Sequence, residues 1–365
     1  MAGIYIHVPF CAKRCLYCDF YSTTKLDIRS SYVDALICEI EHRRVEIDTL
    51  PFVNSSENTL YLGGGTPSLL SFDLLCKITC SFSNMIQFKE LSIEVNPDDI
   101  SYDYSLQLRQ LGFNRISIGV QSFNDKFLTM LGRRHNALQA INAVLTAYKT
   151  GFDNISVDLM YALPNQSLRD WENDIDTVLK LPVNHISTYC LTLEPHVPLF
   201  KKYENGQYEF PNEQLANNMF DLAITKLSHI GFQHYEISNF CLRDTFSIHN
   251  RNYWNDVPYL GFGPSAHSYD GETRYWNTSN LDQYLEQAQS KNFKLEREKL
   301  TCEQKDMEKV MLGLRTITGV NEKYIHNKSK MEVFIQNGLL FRQGTNLCAT
   351  QKGMHILNYI IKNLI

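Results

Sequence analysis

The sequence predicts an α/β protein built on a parallel sheet, followed by a smaller, mainly helical module. Three observations carry that reading. Six short runs of β-branched and aromatic residues alternate with helix-periodic segments through the first two-thirds of the chain. The polar residues that stand out fall at or just after the ends of those runs. Beyond about residue 195 the alternation stops, and helix, hairpin and helix patterns close the chain. Parallel strands joined by right-handed crossovers curl into a barrel or a doubly wound sheet, and both place ligands at the C-terminal rim.

Taken in order, "GIYIHV" is the first strand, and "SSYVDALICEIEHRRVEI" carries Val33, Leu36, Ile37 and Ile40 at helical spacing. "NTLYL" is a strand stopped by "GGGTP"; "DLLCKITCSF" is a helix, "LSIEV" a strand and "SLQLRQLG" a helix with a glycine stop. "FNRISIGV" is the fourth strand, and "NALQAINAVLTAYKTGF" is a helix that ends at Gly151. "NISVDLMYAL" is the fifth, and "SLRDWENDIDTVLKL" opens on a Ser-x-x-Asp capping signal. "VNHISTYCL" is the sixth. "EPHVPLFKKYENGQYEFP", with three prolines, reads as a loop. "NEQLANNMFDLAITKLSHIGF" reads as one long helix, and residues 234–271 as irregular and aromatic. From about residue 300 the helix–hairpin–helix order is that of a small winged-helix module, a packing or lid domain since it lacks a basic face. The expected division is 1–195, 196–295 and 296–365.

Composition narrows the class. The 365 residues carry 35 Lys and Arg against 40 Asp and Glu, a net charge of -5, with no basic stripe to mark a nucleic-acid footprint. Arg43 and Arg44 read as a solvated helix face. No run approaches 18 apolar residues, so no membrane-spanning segment is expected. The N-terminus lacks the charged and apolar regions of a signal peptide, which points to the cytoplasm. In that compartment thiols stay reduced, so clustered cysteines suit metal or redox chemistry better than disulfides. Seven of the ten cysteines are scattered and read as small core residues.

The other three are not scattered. "IHVPFCAKRCLYCDF" holds Cys11, Cys15 and Cys18 at C-x3-C-x2-C spacing. Zinc and iron–sulfur clusters both suit thiolates. A structural zinc site needs four closed ligands, and here the fourth would be His7, Asp19 or a distant residue. Three cysteines on a four-iron cluster leave one iron open, and the spacing favours that reading while leaving zinc in place. Gly63, Gly64 and Gly65 have no Cβ, so the backbone of "YLGGGTP" can approach a ligand closely. A plain tight turn would give the same pattern.

Together these residues resemble the radical S-adenosylmethionine (SAM) superfamily: three cysteines at this spacing, Tyr17 before the last, and the GGGTP turn after the second strand. The resemblance implies a partial (β/α)6 barrel and a [4Fe-4S] cluster on Cys11, Cys15 and Cys18, with the open iron binding SAM. In order, "YIHVPFC", "YLGGGTPS", "IEVNPDD", "RISIGVQSFND", "LGRRH" and "VDLMYALPNQ" resemble the oxygen-independent coproporphyrinogen III oxidase branch and its relatives. Carried over by motif, Tyr5, Gly64, Gly65, Thr66 and Glu94 would hold SAM. Gln121, Arg133 and Asp158 would line the rim around a second ligand. Each has a plain alternative: strand packing for Tyr5, a surface charge for Arg133, a backbone partner for Gln121, capping or buried ion pairing for Glu94 and Asp158.

Within that branch the chain is similar to the HemW-type heme chaperones rather than the oxidases. The oxidases carry a further cysteine two residues after the third; Phe20 stands there in this chain. They also carry an N-terminal extension, where ten residues precede Cys11 here. "HNRNYW", residues 249–254, matches the chaperones' H-N-x-x-Y-W. Imidazole is a good axial ligand for heme iron and aromatic rings give a porphyrin an apolar face. His249 would therefore ligate heme with Tyr253 and Trp254 stacked on it, Asn250 would fix the loop, and His267 is a weaker second ligand. The resemblance implies heme, acceptor hemoproteins among respiratory enzymes, and an electron donor such as flavodoxin or ferredoxin. It implies no nucleic acid and at most a peripheral membrane association. The leading alternative is an oxidase that decarboxylates coproporphyrinogen III; a purely structural zinc protein leaves the GGGTP, Glu94 and Asp158 blocks unexplained.

Overall fold

The computed structural model describes residues 3–49, 57–83 and 85–365. β1 (Gly3–Val8) leads through the cysteine loop to α1 (Arg29–His42) and the short α2 (Arg44–Thr49). β2 (Thr59–Gly64) precedes α3 (Phe72–Cys80), and β3 (Glu90–Val95) precedes α4 (Tyr102–Gln110). β4 (Arg115–Gln121) is followed by α5 (Asp125–Leu131) and α6 (Ala137–Lys149), and β5 (Asn154–Tyr161) by α7 (Leu168–Val178). β6 (His185–Cys190) ends the series. The six strands pair in chain order, all parallel, as the alternation predicts. The Ser167–Asp170 capping box opens α7, and a second box, Asn136–Gln139, opens α6.

Strand side chains alternate between two faces, and here the lumen is the polar one. Ile4, Ile6, Leu60, Leu62, Ile93, Ile116, Val157 and Ile186 face the helices, all fully or almost fully buried. The intervening Tyr61, Glu94, Ser117, Asp158 and Ser187 line a small internal space. Burying each outer Leu or Ile is worth about 1.5–3 kcal/mol, so the barrel is held from outside, and its interior is free to be polar.

The next hundred residues depart from the sequence reading. The proline-rich stretch contains α8 (Pro198–Glu204): Pro198 sits in the first turn, where its missing N–H would be unpaired anyway. After α9 (Glu213–His229) come β7 (Gln233–Glu236), β8 (Asn239–Cys241), α10 (Ile248–Trp254), β9 (Tyr259–Phe262) and β10 (His267–Tyr269). The stretch read as irregular is therefore ordered. Its strands of three or four residues are too short for periodicity to show. β11 (Thr273–Trp276), α11 (Leu281–Gln289) and β12 (Glu296–Lys299) complete it. β9 pairs parallel with β1, while β8 and β7 add antiparallel strands beyond β6. β10, β11 and β12 extend the other edge. Among the described residues the sheet reaches twelve strands and stays open, with β12 and β7 as its edges.

The C-terminal part has α12 (Cys302–Gly313), β13 (Val320–Asn321), α13 (Lys328–Gln336), β14 (Leu340–Gln343), β15 (Asn346–Ala349), α14 (Gln351–His355) and α15 (Leu357–Leu364). Its antiparallel strands lie in the order β13, β15, β14. Val310, Leu314, Phe334, Leu347 and Ile360 form a core of its own. It meets the rest of the chain at the β7–β8 turn, through Ile237 N–H to Arg315 O (2.8 Å), and at α9, through His355 Nε2 with Asp221 Oδ1 (2.8 Å).

Candidate functional site at the two ends of the lumen

The cysteine loop leaves β1 at the C-terminal end of the sheet. Cys11 N–H donates to Thr23 O (2.9 Å) and Thr23 N–H to Pro9 O (2.6 Å), which closes the loop at its base. Leu16 N–H bonds Leu131 O (3.1 Å) and Leu199 N–H bonds Leu16 O (2.9 Å), so α5 and α8 hold its middle. Cys11 is buried; Cys15 and Cys18 are half-buried, and burial pushes the Cys18 thiol up. Thr66 Oγ1 donates to Cys11 Sγ (3.6 Å) and Arg133 Nη1 to Cys15 Sγ (3.4 Å). Arg133 Nη2 donates to Asn96 Oδ1 and Gly119 O, both at 2.6 Å, while its Nε is buried without a partner. Among the described residues no three His, Cys, Asp or Glu side chains converge on one point. The donor set nonetheless fits a cluster. Three thiols share one loop; the Thr66 hydroxyl donates a hydrogen bond to one sulfur and the charged Arg133 guanidinium to another, an environment that favours thiolates.

The glycine turn packs against this loop. Gly64 has φ +108, and a Cβ there would lie 2.6 Å from His7 Cε1. A Cβ on Gly65 would lie 2.7 Å from Phe10 O and 3.0 Å from Phe10 N. These glycines therefore make room for the chain itself, in addition to whatever they offer a ligand. Gly64 N–H donates to Glu94 Oε2 (3.1 Å) and Tyr61 Oη to Glu94 Oε1 (2.8 Å). Burial, helped by Asp158, pushes the Glu94 carboxyl up to about 7 against those two hydrogen bonds. Burial also raises Asp158, which accepts from Ser117 Oγ at 3.2 Å. Tyr5 Oη shares a hydrogen bond with His7 Nδ1 (3.1 Å). Gln121 ends β4 at φ +70, next to a register shift against β5. Left-handed backbone at a non-glycine residue is strained, and such strain gathers at ligand sites. Arg133 is tied in place rather than free at the surface. Thr66, Arg133 and Gln121 thus gather beside the cysteine loop, while Glu94 and Asp158 line the lumen space that Asn250 of α10 also borders.

His249 lies at the other end, and not in a loop. It sits on α10 and is buried, with both ring nitrogens engaged: Nδ1 with Thr59 Oγ1 (2.7 Å) and Nε2 with Tyr253 Oη (2.9 Å). Burial holds its pKa down at about 3, so the ring is neutral. Its ring stacks on Tyr61 (centroids 5.0 Å apart, 23° between planes), and a Cβ on Gly3 would lie 3.0 Å from its Cε1. Tyr253 meets the imidazole edge-on at 5.0 Å. In this arrangement neither presents a free face to a porphyrin. Asn250 turns to the lumen space lined by Tyr61, Glu94 and Asp158. His267 stacks on Trp276 at the extended edge of the sheet. Outside α10 lies a cavity of about 570 Å³, lined by Arg109, Phe246, Ile248, Arg251, Asn252 and Asn255 among others.

The sequence reading missed Tyr61, Asn96 and Arg115, and weighed His7 only as a fourth zinc ligand. Tyr61 links the two ends, Asn96 donates to Thr66 Oγ1 (3.3 Å) and accepts from Arg133, and Arg115 underlies the lumen. A polar residue at every second position of an otherwise apolar strand was the signal that could have found them.

The radical SAM superfamily model matches residues 5–178. This places the fold and the three-cysteine loop in the class of radical SAM proteins, whose chemistry implies a [4Fe-4S] cluster and SAM. The heme chaperone HemW of Bacillus subtilis is 32% identical, across 99% of this chain and 98% of that protein. HemW of Lactococcus lactis is also 32% identical, across 99% and 96%. The mitochondrial radical S-adenosyl methionine domain-containing protein 1 of Danio rerio is 33% identical over 88% of this chain and 74% of that one. The chain belongs to the HemW family. Among solved structures, coproporphyrinogen III oxidase (HemN) from Escherichia coli superposes with a TM-score of 0.84 over 100% of this chain and 89% of its own, at 23% identity. That likeness establishes the fold alone. Among the described residues no helix is long and apolar enough to cross a membrane.

Proposed function

We propose that this protein is a heme chaperone: it binds heme and hands it to acceptor hemoproteins, with a [4Fe-4S] cluster and SAM as resident cofactors. The observation that carries the reading is likeness along the whole length to proteins named heme chaperone HemW. Cys11, Cys15 and Cys18 would hold the cluster, which when bound to SAM supplies one-electron chemistry. Thr66 and Arg133 donate to sulfur. Gly64, Gly65 and Tyr5 shape the turn that SAM would meet, and Glu94 offers a carboxylate to its amino or hydroxyl groups. Gln121 and Asp158 would line the position of a second ligand. His249 and Tyr253 would serve heme once they leave their present hydrogen bonds. Acceptor hemoproteins of respiration and an electron donor such as flavodoxin or ferredoxin belong to this proposal, as does a cytoplasmic location with peripheral membrane contact. So does the division into 1–195, 196–295 and 296–365, which the separate C-terminal core supports.

The fold likeness to HemN supplies the second reading, decarboxylation of coproporphyrinogen III. One experiment separates them. Protein reconstituted anaerobically, with reductant and SAM, is mixed in parallel with coproporphyrinogen III and with hemin. Stoichiometric hemin binding without decarboxylated product is expected. Catalytic formation of protoporphyrinogen would overturn the chaperone reading.

A further inference from the structure

One side chain touches both ends of the lumen. Tyr61 Oη donates to Glu94 Oε1 at 2.8 Å, and the other oxygen of Glu94 accepts from Gly64 N–H at 3.1 Å. The Tyr61 ring stacks on His249 at 5.0 Å. There is little slack along this line: a Cβ on Gly63 would lie 2.9 Å from Tyr61 Cε1 and 3.0 Å from Glu94 Oε1. Movement at Glu94 must therefore be felt at the imidazole.

The element at the far end has somewhere to go. α10 is seven residues long and carries His249 and Asn250 toward the lumen. Its other face borders the cavity of about 570 Å³. On that face Asn252 is buried with neither amide atom partnered. A buried amide left unpaired costs free energy, so a shift of α10 that gave Asn252 a partner would offset part of its own cost.

We infer that Tyr61 is a positioning residue that couples occupancy of the Glu94–Gly64 end to release of His249 at the α10 end. The inference rests on the proposed function, which puts SAM at the first end and heme at the second. A ligand amino or hydroxyl group that takes Glu94 Oε1 displaces the Tyr61 hydroxyl. The displaced hydroxyl needs another acceptor, and the Asp158 carboxylate is close enough to act on Tyr61 electrostatically. Turning toward it carries the ring off His249. The imidazole loses its stacking partner, and α10 moves outward into the cavity. SAM therefore tightens heme binding, and by linkage heme tightens SAM binding by the same factor, about tenfold within the usual range of such couplings.

The test uses the full-length, cluster-reconstituted protein and its Tyr61→Phe variant, which keeps the ring and deletes only the hydroxyl. Hemin is titrated by its Soret band with and without saturating SAM, and SAM is titrated calorimetrically with and without hemin. In the wild-type protein each ligand should raise the other's affinity about tenfold. In Tyr61→Phe both should still bind, with the mutual effect below about twofold. An equal effect in both proteins, or none in the wild type, overturns the coupling and leaves the heme reading standing. Hemin or SAM that binds neither protein overturns the heme-chaperone reading itself.

Discussion

Gly65→Ala is the sharpest probe of how the glycine turn serves the cysteine loop. The new Cβ would sit 2.7 Å from Phe10 O, 3.0 Å from Phe10 N and 3.0 Å from Pro9 C. All three are backbone atoms, so no side chain can swing away, and the Pro9–Phe10 segment must move. That segment carries Cys11 as the next residue, and Gly65 N–H itself bonds Val8 O at 2.8 Å. Overpacking of this kind costs about 1–3 kcal/mol. Urea unfolding of the apoprotein should show that loss, and reconstituted Gly65→Ala should carry less iron and sulfide per chain. Gly151→Ala is the control. It has φ +90 with nothing within 4 Å of the added Cβ, so it pays only backbone strain of about 1 kcal/mol and should keep its iron. Wild-type stability and iron content in Gly65→Ala would refute the packing argument; equal iron loss in Gly151→Ala would show that the effect is general instability.

Three further outcomes are expected. Cys11→Ala should abolish the brown cluster; full iron and sulfide content would remove Cys11 from the ligand set. His249→Ala should shift the hemin Soret band. It should also destabilise the heme-free protein by about 2 kcal/mol or more, because Thr59 and Tyr253 lose their buried partner; an unchanged band would remove His249 as ligand, and unchanged stability would contradict its seating. The carboxyl of Glu94 is raised to about 7 from the usual 4.5, so the folded chain keeps a proton that the unfolded chain has released, and stability falls as pH rises through that window. The cost by pH 8 is about 3 kcal/mol, and Glu94→Gln should flatten the fall between pH 5 and 8; a parallel pH profile in urea unfolding would exclude Glu94 as its source.

The parallel strands were legible because each carries enough β-branched residues between clear stops. The capping box at Ser167 was legible because its two polar residues stand three apart. α8 was not, since its prolines read as loop, yet Pro198 stands where a helix tolerates proline best. α10 was not, because seven residues give only two turns of periodicity and its polar residues are split between the lumen (Asn250) and the outer cavity (Arg251, Asn252). The roles of the glycines were half legible: the need for absent side chains was plain, but not that His7 and Phe10 would fill the space. The polar lumen was hidden by strands that look hydrophobic when only every second residue is.

The cysteine loop and the His249 ring stand at opposite ends of β1, with Tyr61 paired to the strand's middle. β1 runs from Gly3, which touches the His249 ring, to Val8, three residues before Cys11. At about 3.3 Å per residue the strand alone spans roughly 17 Å. His249 in its present place therefore stands about a strand length from the loop that carries Cys11, Cys15 and Cys18. If SAM and heme occupy these ends as proposed, an effect of one on the other would pass through lumen side chains or through a move of α10. The Tyr61–His249 stack lies on the first of these routes. A packed apolar lumen would be more stable, but would offer no hydrogen bond to exchange along that path. The buried Glu94 carboxyl, pushed up to about 7 chiefly by desolvation, is one energetic cost of the polar interior.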